Sequence, residues 1–346
     1  MEKNIGKRIR TLLVTLLALV FVVTSIGSVR AAEMKIKPKG NKKIKIAVMD
    51  LISAIEVAAL ANSYYKKNAQ ARKWELDIFD LKVNNGQAGP TMENIIAAGY
   101  DGVIVNWTNY KYYEPQCKKA FDKGIPVVGV ACGALVPGVI ANVTSGETAF
   151  GAVSGEYLCN RLKPGDKIIA YYDPNVNTGV YRFAAANTAF KLFNITVAQE
   201  IFFSGSGDPH EQAYEKIRNA LLGDTKKEIK GIWSHWEGEG VSGARAAHDT
   251  NRDDVISVTC DDSPGTYTAL RTMPSLWGTA ATLGYTPLWT AMVFEYLDQV
   301  FAGKAVREGQ TNGPTPYLVT KDNLPPKGYF FSFCGYKGRP QDFQVK

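Results

Sequence analysis

The chain of 346 residues is poor in histidine and cysteine, with three of the first and five of the second. His210, His235 and His248 are dispersed, with no H-x-x-x-H or H-E-x-x-H spacing. The arrangement that holds a hydrolytic zinc is therefore excluded, and no metal site is expected. Cys117, Cys132, Cys159, Cys260 and Cys334 contain no Cys-x-x-Cys pair. An odd number at irregular spacing suits small buried residues, with one disulfide conceivable in an oxidising compartment. Gly-x-Ser-x-Gly is missing and no carboxylate pair is marked by its spacing, so no catalytic residue stands out. No internal repeat is strong enough to use.

What is present begins with a targeting pattern. Lys3, Lys7, Arg8 and Arg10 precede an apolar core, Leu12 through Val23, broken only by Thr15. Val29-Arg30-Ala31 then offers small residues where a signal peptidase reads. The core is shorter than the roughly 20 residues of a spanning helix. Residues 1–31 are expected to be a cleaved signal peptide, with a soluble periplasmic protein as product, since no Cys follows the core for lipid attachment. Cleavage removes five basic groups and one acidic group from totals of 40 and 33, leaving 35 and 32, a net charge of +3. No basic face remains for nucleic acid. Lys35, Lys37, Lys39, Lys42, Lys43 and Lys45 read as a solvated linker, placed at 32–42, before the first strand.

From Lys43 to about Ala302 strand and helix patterns alternate. Strands are expected at 44–49, 76–79, 103–105, 126–130, 139–143, 167–172, 196–202, 231–234, 255–259 and 278–282. Helices are expected at 53–70, near 91–98, from Tyr110 to Phe121, and at 149–162, 178–193, 209–222, 238–249, 264–272 and 287–301. The last keeps the 3-4-3-4 rhythm with Trp289, Met292, Val293, Tyr296, Leu297, Val300 and Phe301. Such alternation implies α/β architecture, parallel sheets covered by helices on both faces, in two domains. Ligands of open α/β sheets bind beyond the carboxyl ends of the strands. The loop after 103–105, Asn106-Trp107-Thr108-Asn109, sets an aromatic among hydrogen-bonding groups, which suits an uncharged polar small molecule.

The stretches DGVIVN (101–106) and AFDKGIPVVGV (120–130) resemble the type I periplasmic binding proteins, the ribose-binding-like group. VTSGETAFGAVSGEYL (143–158) looks like the helix that opens that family's second domain. GIWSHWEGEGVSGARAA (231–247), VISVTCDDSPG (255–265) and LDQVFAGKAV (297–306) are similar to later strand-loop-helix units. The resemblance implies two Rossmann-like lobes joined by a three-strand hinge. The first lobe would be 43–141 plus 283–312, and the second 142–282 plus 313–346. It also implies an exported receptor, not an enzyme, that closes on a small neutral ligand and delivers it to an ABC importer. A monosaccharide or polyol is favoured. A nucleoside or aromatic compound, or the same fold serving a chemoreceptor or sensor kinase, stays open. The partners expected are the ligand and the permease, the state a monomer, and no cofactor is expected. A LacI-like regulator shares the core, but a targeting signal rather than a DNA-reading headpiece precedes residue 43.

Ligand contacts are expected from Ser53, Glu56, Asn106, Trp107, Thr108 and Cys132 on the first lobe and from Arg182, Trp236, Glu237 and Asp261 on the second. A carboxylate at a strand end accepts two hydroxyl hydrogen bonds, Trp faces pack on the C–H faces of sugars, and the guanidinium fork suits ring oxygens or carboxylates. Asp262 is a further candidate, although Asp262-Ser263-Pro264 also suits a helix start. Family members commonly carry an Asp-Arg pair where this chain has Ala131-Cys132-Gly133, so the ligand is expected to be less hydroxylated than a hexose or pentose, or nucleoside-like. Gly238-Glu239-Gly240-Val241-Ser242-Gly243 is a literal G-x-G-x-x-G. Glu237 and Glu239 would set negative charge beside a pyrophosphate there. Close helix–strand packing is the competing explanation, and a dinucleotide or glycoside-hydrolysing enzyme is the less favoured reading.

Overall fold

The computed structural model describes residues 32–324 and 327, apart from 41, 145, 205–206, 282–284 and 314. The targeting segment 1–31 and Cys334 lie outside the described residues. The chain opens with β1 (Glu33–Met34), β2 (Lys45–Asp50), α1 (Glu56–Ala71), β3 (Glu75–Asp80), α2 (Ala88–Ala97), β4 (Gly102–Asn106), α3 (Glu114–Asp122), β5 (Val127–Val130) and β6 (Val139–Val143). It continues with α4 (Glu147–Cys159), β7 (Lys167–Tyr172), α5 (Asn177–Leu192), β8 (Thr196–Phe202), α6 (Pro209–Gly223), β9 (Ile229–Ser234), α7 (Glu237–Asp249), β10 (Ile256–Cys260), α8 (Pro264–Thr272) and β11 (Leu276–Ala281). The remaining elements are α9 (Tyr285–Phe301), β12 (Val306–Arg307), β13 (Gln310–Asn312) and β14 (Tyr317–Thr320).

Two six-stranded sheets result, β13-β6-β5-β4-β2-β3 and β14-β11-β10-β9-β7-β8. The first is parallel throughout, and the second is parallel save for β14, which runs antiparallel to β11. Each sheet is the floor of one lobe. The chain leaves the first sheet after β6, builds the second, and returns with α9 to cover the first. It then adds β13 to the first sheet and β14 to the second.

The inner strands are largely apolar on both faces because both faces are covered. In the first lobe Ile46, Val48, Ile104 and Val128 pack on Val57, Ala61 and Tyr65 of α1 and on Trp289, Val293 and Leu297 of α9. Ala47, Met49, Val103 and Val105 face Met92 and Ile95 of α2 and Cys117 and Ala120 of α3. In the second lobe Ile168 and Ala170 pack on Phe150 and Phe190, while Ile169 and Ile232 pack on Ala213, Ile217 and Ala247.

Local differences from the sequence expectation have physical causes. The periodicity beginning at Tyr110 divides into a 3-10 turn, Tyr110–Tyr112, and a helix that starts at Glu114. Pro115 lacks an amide proton, so it fits only in a helix's first turn. The lysine-rich run before β2 is tied to the first lobe. Lys39 and Lys42 reach the buried Asp101 at 2.9 and 3.0 Å, β1 pairs with β12, and Lys39 N donates to Phe301 O. Cys117, Cys132, Cys159 and Cys260 are buried free thiols.

Candidate functional site

The carboxyl ends of the parallel strands of both sheets converge on one cleft, where the register of βα units places loops. The cleft measures about 690 Å³, including the part open to solvent. Three residues that follow strands directly, Trp107 after β4, Ala131 after β5 and Asp261 after β10, have φ of +55°, +50° and +66°. Their amides still donate to the neighbouring strands, to Val130 O, Val143 O and Ala280 O at 2.9, 3.0 and 2.7 Å. The ladder thus runs one residue past each strand before the backbone turns left-handed. Such conformations cost of order 1–3 kcal/mol in non-glycine residues and cluster at binding sites.

The first lobe gives the cleft Leu51, Ile52, Ile55, Val57, Val83 and Trp107. Every one of these described residues is apolar or aromatic. Polar side chains at the same strand ends turn away and bond one another instead. Asp50 accepts from Ser53 Oγ at 2.7 Å and from Asn62 Nδ2 at 2.9 Å, and Asn106 Oδ1 accepts from the Tyr65 hydroxyl at 2.5 Å. Burial raises the Asp50 carboxyl above its ordinary value, against the hydrogen bonds that lower it.

The second lobe gives Asp173, Arg182, His235, Trp236, Glu239 and Asp261, with Val176, Thr178, Phe203 and Pro209 beside them. Arg182 is the hub and is only 2% exposed. Its Nε donates to Glu147 Oε2 at 2.6 Å, Nη1 to His235 O at 2.7 Å and to Asp261 Oδ2 at 2.5 Å, and Nη2 to Asp261 Oδ1 at 3.1 Å. Phe150 backs the guanidinium, 4.3 Å from Cζ to ring centroid. Glycine makes this possible: a Cβ on Gly151 of α4 would run into the Arg182 carbonyl, so α4 approaches α5 closely enough for Glu147 to reach. Thr259 Oγ1 donates to Trp236 O and Thr279 Oγ1 to Asp261 O, fixing both strand-end residues.

Residues 47–296 match the family described as periplasmic binding protein domain. The chain belongs to that family. No curated protein matches it. Solved structures of like fold include a sugar ABC transporter protein from Yersinia enterocolitica, at 18% identity and a TM-score of 0.76 over 86% of this chain and 90% of that one. Another is an ABC transporter solute binding protein from Agrobacterium vitis with bound allitol, at 16% identity, TM-score 0.73, covering 81% and 96%. A third is the Caulobacter myo-inositol binding protein bound to myo-inositol, at 14% identity, TM-score 0.72, covering 83% and 96%.

The second wall of this periplasmic binding protein is crowded with titratable groups. Burial lowers His235 to about 4, and the neighbouring Arg182 charge adds to the effect. Burial, then Asp173, raises Glu239 well above the usual carboxylate range. His235 Nδ1 lies 2.7 Å from Glu239 Oε2. Both shifts run toward the neutral forms of the two groups. Burial raises Asp261 while Arg182 opposes it, and burial pushes Asp262 up to about 7 despite a 2.7 Å bond from the Tyr267 hydroxyl.

Of the candidates read from the sequence, Trp107, Arg182, Trp236 and Asp261 line the cleft. Asn106, Thr108, Cys132 and Glu237 are buried and are not among its lining. Cys132 Sγ lies 3.3 Å from Val105 O and 3.2 Å from Val130 O, and burial pushes its thiol up to about 12. Thr108 Oγ1 donates to Asn106 O at 3.1 Å. Ser53 is turned onto Asp50. Glu56 starts α1, and its side chain lies outside the described residues. Asp262 is buried against Tyr267 rather than capping α8, where Ser263 Oγ accepts from Thr266 N.

Sequence reasoning did not single out Asp173 or His235, although each directly follows a strand, β7 and β9, as Asp261 follows β10. The glycines of the G-x-G-x-x-G run lie inside α7. Cβ atoms there would collide with His210 at Gly238 and Thr259 at Gly240, so the run is a packing surface for α6 and β10.

Proposed function

We propose that this chain is an exported solute receptor that captures a small uncharged solute of the sugar or polyol class and presents it to an ABC importer. The observation that carries this reading is the Arg182–Asp261–Glu147 cluster at the base of a cleft walled by strand ends from two parallel sheets. A carboxylate oriented by a bidentate guanidinium is a fixed acceptor for hydroxyl donors. Trp107 and Trp236, one from each lobe, supply ring faces. The Yersinia, Agrobacterium and Caulobacter proteins, whose descriptions name sugar transport, allitol and myo-inositol, support the same class.

In this reading signal cleavage near Ala31 releases the mature protein to the periplasm. One lobe comprises the chain through β6 with α9 and β13, and the other the chain from α4 through β11 with β14. Asn177, at the start of α5, joins them: its Oδ1 accepts from Asn109 Nδ2 at 2.8 Å, and its Nδ2 donates to Cys132 O at 3.0 Å. Such bonds hold the lobes closed, and a ligand touching both walls shifts the population toward that state. A nucleoside or aromatic solute is a second reading, favoured by the apolar first-lobe wall.

Thermal-shift measurement on the mature protein from Ala32, unfolded and refolded to strip carried solute, tests both. The panel holds pyranoses, pentoses, allitol, myo-inositol, nucleosides, aromatic acids and NAD. A ligand at 100 times its dissociation constant adds about 2.7 kcal/mol. Hits among sugars or polyols that weaken in Asp261→Asn support the proposal. Stabilisation by NAD alone, or by none of the panel, overturns it.

A further inference from the structure

The two walls do not match one sugar ring. A pyranose carries hydroxyls around its whole edge, and each one taken out of water without a partner costs about 1–3 kcal/mol. Among the described lining residues, and apart from the Trp107 indole N–H, hydrogen-bonding side chains come from the second lobe: Asp173, Thr178, Arg182, His235, Trp236, Glu239 and Asp261. The facing side chains of the first lobe are Leu51, Ile52, Ile55, Val57, Val83 and Trp107. The polar groups behind that wall, Asp50, Asn62 and Asn106, are buried, and the side-chain hydrogen bonds they make run among themselves and to Ser53 and Tyr65.

The cleft also extends beyond these two walls. Val83 and Asp173 are shared with an outer hollow lined by Lys82, Asn84, Asn85 and Tyr112, so the cleft continues outward between the lobes.

We infer that the solute is a glycoside: a sugar ring joined to an apolar or aromatic group. The ring lies on the second-lobe wall, with its hydroxyls on Asp261, Asp173 and Arg182. The aglycone lies against Leu51, Ile55, Val83 and the Trp107 ring. This inference rests on the proposed sugar class and narrows it. O-glycosides and nucleosides share the chemistry, and separate arms of the test distinguish them.

The experiment is calorimetric titration of the stripped mature protein with matched pairs: glucose and phenyl β-D-glucoside, galactose and phenyl β-D-galactoside, ribose and adenosine or uridine. In at least one pair the glycoside should bind tighter than its parent sugar by about tenfold or more, as burial of two methylene equivalents would give. Trp107→Ala should bring that ratio toward one, whereas Asp261→Asn should weaken both members and leave the ratio standing. A parent sugar that binds as tightly as its glycosides in every pair overturns the glycoside inference and leaves the sugar reading intact. Binding by no member of any pair, while a polyol binds, also overturns the inference alone. Silence from sugars, glycosides and polyols together removes both.

Discussion

The two walls of the cleft are made at equivalent places in two similar sheets, yet they have opposite chemistry. Trp107 and Asp261 show the contrast most directly. Each follows a parallel strand, each donates its amide to the next strand, and each has positive φ. One puts an indole into the cleft, the other a carboxylate gripped by Arg182. The backbone therefore fixes where a residue reaches the cleft, and the side chain alone decides what chemistry the wall presents there. The lobes also differ in where they keep their polar groups. The first lobe buries its cluster around Asp50 and shows the cleft hydrocarbon. The second lobe sets a buried ionic cluster, Glu147–Arg182–Asp261, at the cleft, where loss of one partner would leave the others buried and unpaired.

Breaking the ionic wall should give the largest effect. Arg182→Ala leaves Glu147 and Asp261 buried without their cation, at exposures of about 5% and 12% for the side chains. Removing one partner of a buried pair typically costs about 3–5 kcal/mol. Urea unfolding should show a loss of that order, with binding of the proposed solute abolished. On the opposite wall Trp107→Ala, a half-buried site, should cost less than half as much stability. Equal losses from the two substitutions would show that the walls do not differ in the way described.

The sequence disclosed the architecture well because long parallel strands carry their signal in apolar runs. Thr196–Phe202 and Pro264–Thr272 begin and end where the pattern places them, give or take a residue of sequence. β12, β13 and β14, of two to four residues, were not legible, since pieces so short have no periodicity and exist only by pairing with distant strands. The site was half legible. Asp261 and Trp107 could be placed on the cleft because a residue just past an apolar run points there. Asn106 and Cys132 look equally suitable in a string of letters. Asn106 is the last residue of β4 and faces Tyr65, whereas Trp107 turns out through positive φ. One residue of position and the sign of one torsion decide the matter, and neither is encoded in composition. Asp173 stayed hidden because Asp-Pro-Asn reads as a turn. The glycines of α7 looked like a phosphate loop because the motif does not say whether glycine faces a ligand or a packed strand.

The second comparison is electrostatic and should be smaller. Asp262 takes about 7 in the fold against an ordinary 3.8. Between those values the folded protein keeps a proton that the unfolded chain has lost, so stability falls as pH rises through the window and is level above it. His235 acts in the other direction at lower pH. Its value near 4 against 6.5 means that the unfolded chain takes up the proton first as pH falls, and stability drops between those values. From about pH 6 to pH 7 Asp262 should therefore dominate, with stability falling by up to about 1.4 kcal/mol per pH unit. Unfolding free energy measured across that range should decline and then level off, and Asp262→Asn should flatten the decline. A rise with pH in the wild-type chain would contradict this account of the second wall.

The smallest effect belongs to the apolar wall. Val83 has φ of +63°, a region that β-branched residues rarely occupy, and its amide is held by Leu51 O at 2.8 Å. Such strain costs about 1–3 kcal/mol, while glycine adds about 0.5–1 kcal/mol of backbone entropy on folding. Val83→Gly should consequently leave the protein about 1 kcal/mol more stable by urea unfolding. It should also remove hydrocarbon from the first wall, weakening an aryl glycoside by about threefold to tenfold, the equivalent of one methylene or slightly more. Opposite signs in stability and affinity at one residue mark a side chain retained for the ligand against the preference of the backbone. If the substitution destabilises the fold, Val83 is a packing residue, and the apolar wall owes its composition to the core of the first lobe rather than to the solute.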